Sequence, residues 1–148
     1  MILDYKNCGS VLKNIKKTKA LIGGCFDIIH YGHLDFIIQA AKIAEILIVA
    51  LEPDESIIKK NRQPVHNQQQ RAEILDSLRF VDYVVKLPVL NGFNQYLEMI
   101  KKIRPNYIVA NQKDTKLKNK RLQSELVKAE FITIDYKFKY SSSAIINS

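Results

Sequence analysis

Short apolar runs alternate with helical hydrophobic patterns along most of this chain. The run from Ile46 to Leu51 is apolar throughout, which is typical of a strand buried on both faces of a parallel sheet. Residues 32–44 and 69–78 instead place their apolar side chains at helical spacing. Such alternation predicts parallel strands that are joined by crossover helices. We therefore expect an α/β fold with a doubly wound parallel sheet of five strands.

The predicted elements follow one another without a repeat or a linker. Apolar runs predict strands at residues 20–22, 46–51, 83–85, 107–109 and 131–134. Helical patterns cover residues 32–44, 69–78, 96–103 and 117–129, and Ser142 and Ser143 are expected to cap a final short turn. Residues 1–148 are therefore expected to form a single domain, with residues 1–19 as an N-terminal extension of uncertain structure.

Length, apolar patterning and cysteine content restrict the class of protein. A chain of 148 residues can bury a core without disulfide staples. Its longest apolar run is far shorter than the roughly 20 residues that a membrane-spanning helix needs. The first residues lack the pattern of a signal peptide, and Cys8 and Cys25 are expected to be reduced thiols. These features predict a cytoplasmic protein without membrane insertion.

The chain is basic, with 23 Lys and Arg against 15 Asp and Glu and a net charge of +8. The excess lies in two clusters: Lys13, Lys16, Lys17 and Lys19, and Lys113, Lys116, Lys118, Lys120 and Arg121. Neither cluster is interleaved with the aromatic residues that a single-strand binding surface uses. We interpret the charge as solvated surface that also attracts anionic substrates, and we expect no nucleic-acid partner. A basic nucleic-acid-binding module remains an alternative with little support beyond net charge.

The segment from Gly23 to His33 follows the first predicted strand and carries the chemistry of the chain. It matches neither a P-loop nor a dinucleotide-binding glycine fingerprint. Gly23 and Gly24 let the backbone turn sharply and approach a ligand, and the next helix offers unpaired N–H groups to an anion. His30 and His33 are three residues apart, so both can project from one side of the helix start.

Two imidazoles at this position can donate hydrogen bonds to phosphate oxygens, most strongly where negative charge builds in a transition state. Gly32 between them leaves room for a phosphate. Zinc binding is an alternative, but His66 is the only other histidine and the pattern of a zinc protease helix is absent. Histidines without a role are a further alternative, and phosphate contact is the favoured interpretation.

The residues Gly24, Phe26, Asp27, His30, Gly32 and His33 are spaced as in the signature of the cytidylyltransferase-like nucleotidyltransferase superfamily. Residues 20–148 resemble this family, whose fold is Rossmann-like. The resemblance implies transfer of a nucleotidyl group from ATP or CTP to a phosphorylated acceptor, with release of pyrophosphate. It also implies a homodimer and a Mg²⁺ ion that is held mainly by the nucleotide phosphates rather than by the protein.

The resemblance also assigns site residues. His30, His33 and Lys60 would be catalytic, although Lys59 is an alternative to Lys60. The residues expected to bind the nucleotide and its phosphates are Gly24, Cys25, Phe26, Asp27, Gly32, Asn111, Gln112, Ser141, Ser142 and Ser143. The three serines occupy the place of the family's second signature, and simple helix capping is the alternative for them.

Other segments agree with the resemblance or depart from it. Residues 71–75 and 81–85 are similar to a helix and a strand of the family. Asn111 and Gln112, however, stand where many relatives carry glycine and aspartate, and Tyr136 stands where cytidylyltransferases carry an arginine. These departures favour, as an alternative function, a catalytically degenerate nucleotide-binding sensor or scaffold.

The resemblance identifies the acceptor only as a phosphorylated small molecule and leaves three kinds of acceptor open. Residues 62–65 and the first motif look most like the adenylyltransferase domain of ADP-heptose synthases, which points to a sugar phosphate such as heptose 1-phosphate. The Tyr31-Gly32-His33 ending and the short length are as similar to glycerol-3-phosphate cytidylyltransferase. The triple serine is similar to archaeal-type FAD synthases.

Overall fold

The computed structural model describes residues 1–135 of the chain. Its six strands are β1 (Ile2–Asp4), β2 (Lys19–Gly24), β3 (Ile46–Leu51), β4 (Tyr83–Lys86), β5 (Tyr107–Asn111) and β6 (Glu130–Ile134). Its six helices are α1 (Tyr5–Leu12), α2 (Tyr31–Ala41), α3 (Asp54–Ile58), α4 (Gln68–Asp76), α5 (Gly92–Ile103) and α6 (Leu117–Leu126). The predictions for Tyr136 and for the serines at 141–143 lie outside the described residues.

All six strands pair in parallel in the order β1-β4-β3-β2-β5-β6. Helices α2 and α4 cover one face of this sheet, and α1, α5 and α6 cover the other. The prediction of a doubly wound parallel sheet is therefore confirmed. No helix within residues 1–135 is long and apolar enough to cross a membrane.

The sheet has six strands rather than the predicted five, because the N-terminal extension supplies β1 and α1. Strand β1 is three residues long, and Ile2 pairs with Val84 at one edge of the sheet. The amino group of Met1 anchors it further, on the carboxylate of Asp76 and the carbonyl of Asp82. A strand this short shows no periodicity of its own, so its formation depends on partners that lie about 80 residues away along the chain.

Strand β3 lies inside the sheet and contributes side chains to both cores. Leu47, Val49 and Leu51 pack beneath α2 and α4, whereas Ile48 and Ala50 pack beneath α1 and α5. Burial on both faces explains why this strand is continuously apolar rather than alternating, as the sequence predicts. The short helix α3 is an addition, because the sequence patterns predict no helix or strand between residues 52 and 68.

The strand order reverses between β2 and β5. From β2 the chain moves outward to β3 and β4, then returns to place β5 on the other side of β2. In open parallel sheets, ligands bind at the carboxyl ends of the strands beside such a reversal. The residues after Gly24 and Asn111, which end these two strands, are therefore placed where a ligand site is expected.

Candidate active site

Strand β2 ends in a tight turn that brings Phe26 back over the strand end. Phe26 is buried and has a φ of 48°, in the left-handed region that a bulky side chain seldom adopts. Its ring lies so close to Gly24 that a Cβ on the glycine would stand 3.0 Å from Phe26 Cε2. Gly23 is less restricted, since the nearest atom to its added Cβ would be 3.6 Å away. Gly24 therefore makes room for Phe26.

The two motif histidines begin helix α2 as a reciprocal cap. The His33 backbone N–H donates to His30 Nδ1 at 3.3 Å, and the His30 backbone N–H donates to His33 Nδ1 at 3.4 Å. The rings stack with centroids 3.9 Å apart, and Phe26 packs on His33 at 5.3 Å. Gly32 is buried in the same turn of the helix. The prediction that both rings project from one side of the helix start is confirmed.

This cap fixes the protonation of both rings. A neutral imidazole that accepts at Nδ1 carries its proton on Nε2, so Nε2 of each ring is a donor, and the Nε2 atom of His30 is buried. Burial lowers the pKa of His30. Burial also lowers the pKa of His33, and together with the nearby charge of His30 it brings that pKa to about 4. A hydrogen bond of His33 with the Ile28 backbone opposes this shift. Both rings are therefore neutral at pH 7 and suited to donating hydrogen bonds to an anion without themselves ionising.

Asp27, a predicted nucleotide-binding residue, points into the protein. Its side chain is 1% exposed. Its carboxylate accepts hydrogen bonds from the backbone N–H groups of Val65, at 3.0 and 3.1 Å, and His66, at 3.2 Å. Asp27 thus holds the loop before α4 against the loop after β2, and any effect on a nucleotide would act through the position of these loops.

Arg71 connects the loops around the site, and sequence reasoning did not assign it to the site. Its guanidinium is fully buried and donates to the carbonyls of Cys25 at 2.6 Å, Glu52 at 2.9 Å and His66 at 3.1 Å. It also pairs with the Asp54 carboxylate at 2.6 Å. The signal in the sequence is an arginine on the same helix face as Ala72 and Leu75, which are both buried. A charged residue at a core position implies a specific set of partners.

Of the two lysine candidates, Lys60 is the one that contacts the β2 loop. Its Nζ lies 3.8 Å from Cys25 Sγ. Burial raises the pKa of the Cys25 thiol, and the positive charge of Lys60 opposes that rise. Lys59 is exposed at the end of α3 and makes no such contact with another side chain of residues 1–135. The structure therefore brings Lys60 next to the turn that leads to the histidines.

The turn that follows β5 is held by hydrogen bonds to Asn111. The Asn111 side-chain oxygen accepts from the Lys113 backbone N–H at 2.9 Å, and the Asn111 carbonyl accepts from the Asp114 N–H. The side chain of Gln112 is exposed, and its backbone N–H donates to Ile134. Asn111 and Gln112 thus stand beside the strand reversal as predicted, but the Asn111 oxygen already has a partner within the loop.

A second polar group beside the β2 loop was missed by the sequence analysis. Glu52 follows β3 directly, and its backbone N–H donates to the Gly24 carbonyl. Its carboxylate accepts from the Tyr96 hydroxyl at 2.8 Å and from the Ser56 hydroxyl at 2.9 Å. Burial and the negative charge of Glu52 raise the pKa of Tyr96, so this phenol stays protonated. Glu52 and Tyr96 are 44 positions apart, so no local pattern links them.

The potential metal ligands around the histidine turn are engaged with neighbouring backbone groups. Within residues 1–135, no group of three or more His, Cys, Asp or Glu side chains is placed to hold a metal ion. The Nδ1 atoms of His30 and His33 already accept hydrogen bonds from the cap, and both oxygens of Asp27 are similarly engaged. These nitrogen and oxygen atoms are therefore already engaged within the protein.

Comparison with known proteins gives a consistent result. The model of the family described as cytidylyltransferase-like matches residues 21–148. The bifunctional protein HldE of Helicobacter hepaticus is 35% identical over 150 residues, which cover 99% of this chain and 30% of that protein. The FAD synthase of Thermococcus onnurineus is 38% identical over 130 residues, covering 84% of this chain and 83% of that enzyme. The chain thus spans under a third of the HldE protein but most of the FAD synthase.

Two solved structures share the fold. A lipopolysaccharide core biosynthesis protein from Thermoplasma volcanium superposes with a TM-score of 0.65 at 21% identity, covering 84% of this chain and 99% of that one. A pantoate-beta-alanine ligase from Francisella tularensis superposes with a TM-score of 0.75 at 15% identity, covering 100% of this chain and 73% of that one. At such identities the likeness concerns the fold alone.

Proposed function

We propose that this chain, which belongs to the cytidylyltransferase-like family of nucleotidyltransferases, transfers an adenylyl group from ATP to a sugar phosphate such as heptose 1-phosphate. Pyrophosphate is the second product. Choice of ATP over CTP is supported by the relatives, since the products ADP-heptose and FAD both contain an adenosine phosphate. Choice of a sugar phosphate is supported by the similarity to HldE along nearly the whole chain.

The observation that carries the proposal is the histidine pair at the reversal of strand order. His30 and His33 begin α2 with their Nε2 donors turned away from the cap. The N-terminus of α2 lies at the same point and adds a positive dipole end. A neutral donor pair beside a helix N-terminus is suited to the phosphates of a nucleotide, whose negative charge increases during transfer.

The proposed reaction is an in-line displacement. An acceptor phosphate oxygen forms a bond to the α-phosphorus, the bond from that phosphorus to the bridging oxygen breaks, and pyrophosphate leaves with the electron pair. His30 and His33 donate hydrogen bonds to the α- and β-phosphates as charge develops, and Lys60 attracts the acceptor phosphate. Positioning and electrostatic stabilisation then supply catalysis, and no covalent intermediate on the protein is needed.

Mg²⁺ is part of the proposal as a companion of the nucleotide. The groups assigned to the phosphates, on His30, His33 and Lys60, are nitrogen donors, whereas Mg²⁺ prefers phosphate and carboxylate oxygens and keeps several waters. The residues therefore fit an ion that is bound mainly by the triphosphate. When bound there, Mg²⁺ neutralises negative charge on the phosphates. His30, His33 and Lys60 would act on the phosphate oxygens that remain.

A second candidate, favoured by the end of β5, is a nucleotide-binding sensor or scaffold without turnover. The side-chain oxygen of Asn111 is engaged by the Lys113 N–H, so it is less available to a nucleotide. The intact histidine cap favours the enzyme instead, because it holds both imidazoles side by side at the start of α2. We further propose, from family membership, that the enzyme is a homodimer and acts in the cytoplasm, where ATP is abundant.

The test is product analysis. Purified protein with Mg²⁺ is incubated with ATP or CTP, each with heptose 1-phosphate, glycerol 3-phosphate or FMN, and products are measured by mass spectrometry. We expect ATP and heptose 1-phosphate to yield ADP-heptose and pyrophosphate in equal amounts, and no pyrophosphate without an acceptor. Transfer to another acceptor would correct the substrate. Nucleotide binding without product from any combination would favour the scaffold and overturn the enzyme.

A further inference from the structure

Four side chains from separate parts of the chain meet on the β3 side of the β2 loop. Glu52 lies at the end of β3, Tyr96 on α5, Cys25 in the β2 loop and Lys60 after α3. We call these four residues the Glu52 cluster. The Glu52 backbone N–H donates to the Gly24 carbonyl next to Cys25, and the negative charge of Glu52 raises the pKa of both Cys25 and Tyr96 in addition to the effect of burial.

The carboxylate at the centre of this cluster has neutral hydrogen-bond partners. Tyr96 and Ser56 each donate one hydroxyl hydrogen bond to it, one on each oxygen. Within residues 1–135, Glu52 forms no ion pair with a lysine or arginine. A carboxylate can accept about four hydrogen bonds, so each oxygen keeps capacity for a further donor. Two neutral hydroxyls hold it in one orientation, and no lysine or arginine within residues 1–135 pairs with it directly.

The position of the cluster follows from the sheet. A nucleotide at the reversal of strand order would lie over β2 and β5, and we place the acceptor beside it, on the β3 side of β2. Lys60 stands on that side and supplies a positive charge for the acceptor phosphate. The Glu52 backbone N–H donates to the Gly24 carbonyl, so Glu52 lies beside the end of β2, from which the chain continues to the histidine turn.

We propose that Glu52, held by Tyr96, is a specificity-determining residue that accepts hydrogen bonds from hydroxyl groups of the acceptor beside its phosphate. This inference rests on the proposed nucleotidyl transfer. The acceptor class that suits the cluster is a polyhydroxylated phosphate ester, with its phosphate at Lys60 and its hydroxyls at Glu52. The same carboxylate repels a second anionic group next to the phosphate, so diphosphorylated or carboxylated acceptors are disfavoured.

The experiment measures KM for acceptor and for ATP separately, in Glu52→Gln, Tyr96→Phe and the wild-type protein. The acceptor is heptose 1-phosphate, or whichever of the three acceptors forms product. Removing the charge of Glu52 weakens charge-assisted hydrogen bonds, so we expect kcat/KM for the acceptor to fall about 10-fold, mainly through its KM. Tyr96→Phe leaves the carboxylate less well oriented, and we expect about a 3-fold rise in acceptor KM. The KM for ATP should stay within about 2-fold in both variants.

Glu45 provides a matched control at the other end of the same strand. It precedes β3, and its carboxylate also accepts two hydrogen bonds from neutral donors, both on Thr18. Glu45→Gln should therefore leave both KM values unchanged. An unchanged acceptor KM in Glu52→Gln and Tyr96→Phe, with or without a lower melting temperature, would show that the cluster is only structural. A wild-type protein that transfers to none of the acceptors would instead refute the proposed function itself.

Propyl phosphate and glycerol 3-phosphate, as competitive inhibitors against the acceptor, separate hydroxyl recognition from general effects. They match in carbon number and phosphate, and only glycerol 3-phosphate carries hydroxyls. The wild-type protein should bind glycerol 3-phosphate more tightly, and Glu52→Gln should lose most of that preference. An equal preference in both proteins would overturn the assignment, and Tyr96→Phe provides the same comparison if Glu52→Gln fails to fold.

Discussion

Arg71 gives the most direct way to test how the site is held together. Arg71→Met keeps a long side chain but deletes every donor of the buried guanidinium. The substitution leaves the carbonyls of Cys25, Glu52 and His66 without that partner and removes the ion pair with Asp54. Because the Asp54 side chain stays 34% exposed, most of the cost comes from the three carbonyls that lose a charged donor, and we expect a loss of about 3–5 kcal/mol. At about 2–4 °C per kcal/mol for a domain of this size, the melting temperature should fall by about 6–20 °C.

The assay is urea unfolding followed by circular dichroism, with melting temperature as a second measure. Arg79→Met is the matched control, because Arg79 is exposed and lies 4.8 Å from the Phe80 ring at the surface. It should change the unfolding free energy by no more than about 0.5 kcal/mol. Arg71→Lys keeps the charge with fewer placed donors and should fall between the two. A stability of Arg71→Met equal to that of the control would refute the role of Arg71 in joining these loops.

Three further results are expected. Gly24→Ala should destabilise the protein by about 1–3 kcal/mol because its Cβ meets Phe26, whereas Gly23→Ala, with no contact closer than 3.6 Å, should cost less in the same urea titration. The pKa of His33 is about 4 in the folded state against about 6.5 unfolded, so the unfolded state binds more protons between these values. The free energy of unfolding should therefore fall as pH drops from 7.5 to 5, and His33 should account for about 2 kcal/mol of this fall. The variant His33→Gln keeps the reciprocal cap bond, and its free energy of unfolding should lack this part of the pH dependence. Light scattering at micromolar concentration should give twice the chain mass of 17.1 kDa, and a monomer mass would contradict the homodimer.

The parts of the fold that follow local patterns could be predicted from the sequence. Strand β3 is apolar because both of its faces are buried, and α2 and α4 show the spacing of their buried side chains. The signature at residues 24–33 predicts His30 and His33 at the start of a helix, and the structure has them there. Strand β1 could not be predicted, because its three residues form a strand only through pairing with β4.

The scaffold of the candidate site was harder to predict because its contacts are long-range. Asp27 belongs to the motif, but its carboxylate holds a loop almost 40 positions away. Arg71 lies in a segment that resembles the family, yet its partners come from three separate loops. Such roles depend on which strand ends meet at one edge of the sheet. A motif identifies the residues that face the ligand more readily than those that hold them.

The central claim, that the histidine pair stabilises charge on the nucleotide phosphates, is tested most directly with His30→Asn. Asparagine is a favourable first residue for a helix cap, so it can accept from the His33 N–H while removing the imidazole Nε2 donor. Turnover in the pyrophosphate-release assay should fall about 10²–10³-fold, as for loss of one transition-state donor, with the melting temperature close to that of the wild type. A folded His30→Asn variant with wild-type turnover would contradict the account.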